Sequence, residues 1–218
     1  MSDPELKGAR KAIVPVGSME QHGLHLPVST DVLIAEHVAK KVAPLVSAVV
    51  MPAIAYGVSF EHQPLFNASV RKGTLAATVF DVCASLAGFG FAQIIILNGH
   101  HGNITALKNI TRNHKIPKGT TIHILHYWQA LKEELGHAGD TETSLLLAIA
   151  PELVDMGKAV PGAKKPTKLA STSKPGSFVK ITGNGVWGDP RGASAEKGNR
   201  LLKEITKNLA KTISGLQA

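Results

Sequence analysis

One cysteine, Cys83, is all the thiol chemistry this chain has. It can form no internal disulfide and no thiolate metal cluster, and inside a helical stretch it reads as a small buried hydrophobe. Aromatic residues make up only 5%, and no basic helix interleaved with aromatics appears. The excess of 24 Lys and Arg over 16 Asp and Glu, a net charge of +8, therefore points to a solvated basic face or an anionic small substrate rather than to nucleic acid. No apolar run reaches the roughly 18 residues of a membrane span. The stretch from Met1 to Lys11 is polar and lacks an apolar signal core, so the expected location is the cytoplasm. Charged residues are only 18% against 44% hydrophobic, which excludes global disorder.

What is present is an apolar scaffold with abundant turn residues, 21 Gly and 12 Pro in 218 residues. The length fits one domain, residues 1–218, with no repeat and no linker. Residues 11–16 (KAIVPV) read as a buried strand, 31–43 as an amphipathic helix, 48–56 as a strand interrupted by Pro52, and 74–89 as a helix. Residues 93–97 (QIIIL) are the strongest strand signal; a continuous β-branched run suits burial on both faces of a parallel sheet. A helix over 103–113, a strand over 120–128, a helix over 142–150 and a long terminal helix over 193–216 complete the pattern. Residues 161–192 carry Lys164, Lys165, Lys168, Lys174 and Lys180 with weak periodicity; such a stretch is a functional loop or holds a small hairpin. Strands alternating with helices imply an α/β fold, a mainly parallel sheet between helical layers.

Ligands of open parallel sheets bind beyond the carboxyl ends of the strands, and polar clusters stand there. Glu20 and His22 follow the first strand; in an extended loop, i and i+2 point the same way. Asp31 alone reads as a helix cap with Thr30, but beside Glu20 and His22 it reads as a ligand able to bridge two cations. His100 and His101 sit in Asn98–Asn103 at the mouth of the QIIIL strand, His100 as ligand and His101 as pocket lining. After the fourth strand come His137, suited to general acid/base work, and Glu142, which has three readings: metal ligand, acceptor holding an imidazole, or first-turn acid of the next helix. Of the other histidines, His62 and His126 have a route to the pocket. Nitrogen and oxygen donors without sulfur admit Zn, Mn, Fe(II), Co or Mg. Two such ions sharing Asp31 would activate a water against a carbonyl carbon.

These segments resemble the creatininase (creatinine amidohydrolase) family. The resemblance rests on Pro15–Pro27 (PVGSMEQHGLHLP), Thr30-Asp31, Asn98–Asn103 (NGHHGN), His137–Ser144 (HAGDTETS) and Gly185–Pro190 (GVWGDP). It implies a three-layer α/β/α sandwich, assembly into homohexamers, and two divalent metal ions (Zn, Mn or Fe(II)) held by Glu20, His22, a bridging Asp31 and His100. It further implies cleavage of a C–N amide bond in a small molecule, a cyclic amide or formamide; a peptidase and a formamidopyrimidine-nucleotide deformylase are the family alternatives. Outside enzymes, the alternative is a non-catalytic, metal-stabilised basic oligomer binding nucleic acid.

The departures are as informative. Creatininases carry a metal-binding glutamate where this chain has Gly102, and Glu142 or a water is expected to substitute. A glutamate preceding the motif histidine is here Gly136. The frequent F-P-G-T segment is Phe66-Asn67-Ala68-Ser69, which makes Ser69 a substrate-binding candidate. Asp140 is a shortened motif acid, also a candidate, and Trp128 resembles a substrate-stacking tryptophan, with a place in the core as its equal alternative.

Overall fold

In the computed structural model, residues 6, 8–108, 110, 118–164 and 174–217 are described. The sheet holds β1 (Lys11–Val16), β2 (Val49–Val50), β3 (Gln93–Asn98) and β4 (Thr121–His126). All pairs are parallel, in the order β2-β1-β3-β4. The QIIIL run lies where its sequence required, between two neighbours and with every residue buried. Its register with β1 runs from Lys11 opposite Gln93 to Val16 opposite Asn98, so both strands deliver their ends to one edge.

The pleat sends alternate side chains to opposite faces, and each face has its own core. Ile13, Ile95 and Leu97 pack with α1 (Thr30–Val42), α4 (Asp140–Ile149) and α6 (Ala195–Ser214) through Ile34, Leu145 and Leu201. Ala12, Val14, Ile94 and Ile96 pack on the other face with α2 (Lys72–Phe89) and α3 (Ile104–Lys108) through Val79, Cys83 and Leu107. The result is the expected three-layer α/β/α sandwich.

Some elements differ from expectation. The strand over 48–56 shrinks to Val49–Val50; Met51 N still donates to Ile13 O, and a bridge, Val16 to Ile54, resumes the pairing beyond Pro52. The strand over 120–128 stops at His126 and turns into a 3-10 segment, Tyr127–Ala130. The described part of 161–192 holds no hairpin; it contributes α5 (Ser177–Thr182) and isolated bridges at Trp187. Lys165, Lys168 and the end of the helix proposed over 103–113 lie outside the described residues.

Cys83 is 0% exposed on the inner side of α2, and burial pushes its thiol up to about 12. An alkylating reagent at pH 8 should leave the native chain unlabelled and label it fully in denaturant, read by mass spectrometry; rapid native labelling would contradict the packing of α2.

Candidate metal centre

The centre forms where β1, β3 and β4 end. β1 leads into the loop with Glu20 and His22, and Asp31 lies in the first turn of α1. No side-chain cap closes the start of α1, so the capping reading of Asp31 gives way: its carboxylate faces the centre. Glu142 enters from the first turn of α4. Both acids stand at helix N-termini, where unpaired N–H groups favour negative charge.

Two asparagines pin the β3 loop. Asn98 Oδ1 accepts from His100 N at 3.1 Å, and its Nδ2 donates to His100 O at 2.8 Å and to His126 Nδ1 at 3.0 Å. Asn103 donates to Gly17 O at 2.9 Å and accepts from Val58 N at 2.9 Å, joining the ends of β1 and β3 to the 57–62 segment. Gly99 is required because a Cβ there would lie 2.5 Å from Asp31 O; only glycine lets α1 come this close to the strand end.

The imidazoles are aimed by their outer nitrogens. His22 Nδ1 donates to Glu20 O at 3.1 Å, leaving Nε2 for the centre. His100 Nε2 donates to Val58 O at 2.9 Å, leaving Nδ1. Gln21, which sequence reasoning passed over although it stands between two ligand candidates, aims two more. Its Oε1 accepts from Gly23 N at 3.0 Å, which identifies Nε2 as the donor atom. The two hydrogens of Nε2 go to Gly185 O and His62 Nδ1, both at 2.9 Å. His62 therefore carries its hydrogen on Nε2, which lies 3.3 Å from Glu20 Oε1 without hydrogen-bond geometry. His137 Nε2 lies 3.0 Å from Gln21 O and 3.1 Å from Gln21 Nε2, whose hydrogens are already committed; donating to the carbonyl leaves the Nδ1 lone pair toward Glu20 Oε1, 3.9 Å away.

Around this frame, His100 Nδ1 stands 3.1 Å from Glu20 Oε1 and 3.2 Å from Asp31 Oδ2. His22 Nε2 is 3.3 Å from Asp31 Oδ1 and 3.9 Å from Glu142 Oε2. Ala138 N donates to the same Glu142 oxygen at 2.6 Å, and Ala138 itself sits in the left-handed region at φ 50°, a local cost of the kind stored at functional sites.

Glu20 Oε1, His22 Nε2 and Asp31 Oδ2 are buried and yet make no hydrogen bond. Atoms that crowd to about 3 Å without pairing are what ligands of a common ion look like, and buried polar groups without partners are otherwise costly. The charges agree. Burial pushes the carboxyls of Glu20 and Glu142 up to about 7. Burial opposes the charge on His22, but Asp31 and then Glu142 and Glu20 lift it to about 9. Burial opposes the charge on His100 too, and Glu20 and Asp31 raise it well above its usual value. Burial also works against the Asp31 carboxylate, yet His22 and His100 hold it well below the carboxylate range. The shifts share one cause: the centre favours positive charge. Three donor sets, each with its atoms within 4.8 Å of one another, fit a cation: Glu20, Asp31 and His100; His22, Asp31 and Glu142; Glu20, His22 and His137.

The other candidates from the sequence have different places. His101 lines the cavity over the centre. Trp128 does not; it stacks on His101 at 4.1 Å and on His126 at 5.0 Å, behind the cavity wall. Ser69 Oγ accepts from Ser59 N at 2.8 Å, tying two loops together. Asp140 pairs with Lys197 at 2.7 Å on the surface of α6. The weakly periodic 161–192 stretch does reach the centre: Phe178 packs on His62 and His137, and Trp187 exchanges main-chain hydrogen bonds with His137.

Comparison with known proteins agrees with this geometry. The creatininase family model, described as creatinine amidohydrolase, matches residues 1–213. A mycofactocin precursor peptide peptidase of Mycolicibacterium smegmatis is 34% identical, covering 94% of this chain and 85% of the relative. A creatinine amidohydrolase of Pseudomonas putida is 29% identical, covering 92% and 87%. A solved mutant creatininase of the Zn-Zn type superposes with a TM-score of 0.80 at 29% identity, covering 95% of this chain and 90% of that one.

Proposed function

The chain belongs to the creatininase family of hydrolases, and from that premise we propose that it is a metal-dependent amidohydrolase cleaving a C–N amide bond. The observation that carries this reading is the set of buried, unpaired ligand atoms on Glu20, His22 and Asp31. One divalent ion (Zn, Mn or Fe(II)) would be held by Glu20, Asp31 and His100, and a second by His22, Asp31 and Glu142. Glu142 thereby supplies the carboxylate that Gly102 lacks. Bound there, such ions supply Lewis-acid polarisation of an amide carbonyl and lower the pKa of water at the site.

The chain's own groups do the rest. His137 Nδ1, kept as a lone pair by Gln21 and with its charged form disfavoured first by burial and then by His22, is placed to take a proton and pass it to the leaving nitrogen. Phe178 and Trp187 put apolar surface on the cavity wall. The cavity encloses about 370 Å³, room for a small-molecule amide or the end of a peptide. A peptide-bond reading is supported by the 34% identity to the mycofactocin precursor peptide peptidase.

Chelator-treated protein should lose turnover, and Zn or Mn should restore it. The assay is a panel of creatinine, formamidopyrimidine nucleotides and short peptides, read by amine or formate release. Full activity in metal-free protein would overturn the proposal.

A further inference from the structure

The space that a side chain at Gly102 would take is already held by neighbouring groups, one of them a carboxylate from another loop. A Cβ built there would stand 2.5 Å from Glu61 Oε1. Glu61 belongs to the 3-10 turn Phe60–His62, which the sequence showed only as irregular chain. It is 7% exposed and lines the same cavity as His100, His101 and His137.

Its carboxylate faces the cavity with little compensation. The His100 ring reaches it, with Nε2 at 3.6 Å, beyond hydrogen-bond range. That nitrogen already donates to Val58 O at 2.9 Å. Lys72 lines the same cavity from the exposed start of α2; Asp31 and Glu142 line it too but belong to the donor sets, so Glu61 is the cavity's buried carboxylate outside those sets and Lys72 its solvated cation. A carboxylate that is nine-tenths buried is stable when a cation pairs with it, and here the open side is the substrate's side.

We propose that Glu61 is the subsite for an ammonium or amidinium group on the substrate, held beside the amide that the metal centre attacks. This rests on the hydrolase reading and narrows it to cationic amides such as amino-acid amides and short peptides with a free amino terminus. Creatininases place a glutamate at the position of Gly102; in this chain the space beside His100 belongs to a carboxylate from another loop, one turned to the ligand.

The test uses the zinc-loaded full chain and ligand-detected NMR with L-alaninamide and N-acetyl-L-alaninamide. The free ammonium should bind about tenfold or more tightly than the acetylated form, the increment of one charge-assisted hydrogen bond. Glu61→Gln should erase that preference while leaving the affinity of the acetylated probe and the zinc content unchanged. Glu61→Asp, which keeps the charge and withdraws it by one methylene, should retain part of the preference and covers the case in which the glutamine variant does not fold. A preference that survives in Glu61→Gln, loss of zinc from that variant, or failure of L-alaninamide to bind the wild type would each overturn the assignment. Probe binding is read without turnover, so an absence of hydrolysis sinks the amidohydrolase reading separately.

Discussion

Replacing Asp31 with asparagine should strip the centre of metal and lower turnover by more than about 100-fold, since even partners one step outside a metal's ligands cost about 10–100-fold. Asp31 is the residue the two proposed ion positions share: Oδ1 lies 3.3 Å from His22 Nε2 and Oδ2 lies 3.2 Å from His100 Nδ1. Asparagine keeps the volume but replaces one oxygen with an N–H₂ donor that cannot bind a cation. It also removes a negative charge that is 2% exposed, where electrostatic effects are poorly screened. Elemental analysis should show clearly fewer than two metal ions per chain, and circular dichroism should show the fold retained. Asp31→Asn protein with full metal content and wild-type turnover would remove Asp31 from its bridging role.

The second large effect is expected at Gly102. A Cβ there would meet Val58 O at 2.1 Å, His100 Nε2 at 2.4 Å and Glu61 Oε1 at 2.5 Å. Two of these are fixed by the hydrogen bond from His100 to Val58, so relief requires moving backbone or a ligand. Gly102→Ala should therefore cost about 3 kcal/mol, the upper range for overpacking. At roughly 2–4 °C per kcal/mol for a chain of this size, the melting temperature should fall by about 6–12 °C. Metal content should fall with it, because His100 must shift. Gly102→Glu, which writes the creatininase residue back, should be worse still and should not restore a ligand, since Glu142 already stands in the second donor set. A Gly102→Ala protein with unchanged melting temperature and metal content would contradict the packing at this loop.

These two positions separate what local sequence reveals from what it hides. Glu20, His22 and His100 were legible because each lies in a loop beyond a strand that is itself legible: an apolar run ends, and the polar residues after it gather at the sheet edge; Asp31 joins them from the first turn of α1. The same logic recovered β1, β3, α1, α2, α4, α6 and the layers, since the periods of burial are written residue by residue.

Glu61, Gln21 and the fates of Trp128, Ser69 and Asp140 were not legible. Glu61 meets the Gly102 loop from 41 positions away in a stretch without periodicity. Gln21 orients His137 across 116 positions, and Asp140 is drawn out of the pocket by Lys197, 57 positions on. Side-chain chemistry and strand-end placement, both carried by the sequence, determined the fold class and the gathering of nitrogen and oxygen donors at one sheet edge. Which atoms converge and which carboxylates line the cavity were decided by the tertiary structure alone, because those contacts depend on distant loops meeting over the sheet edge and no local period records where they cross.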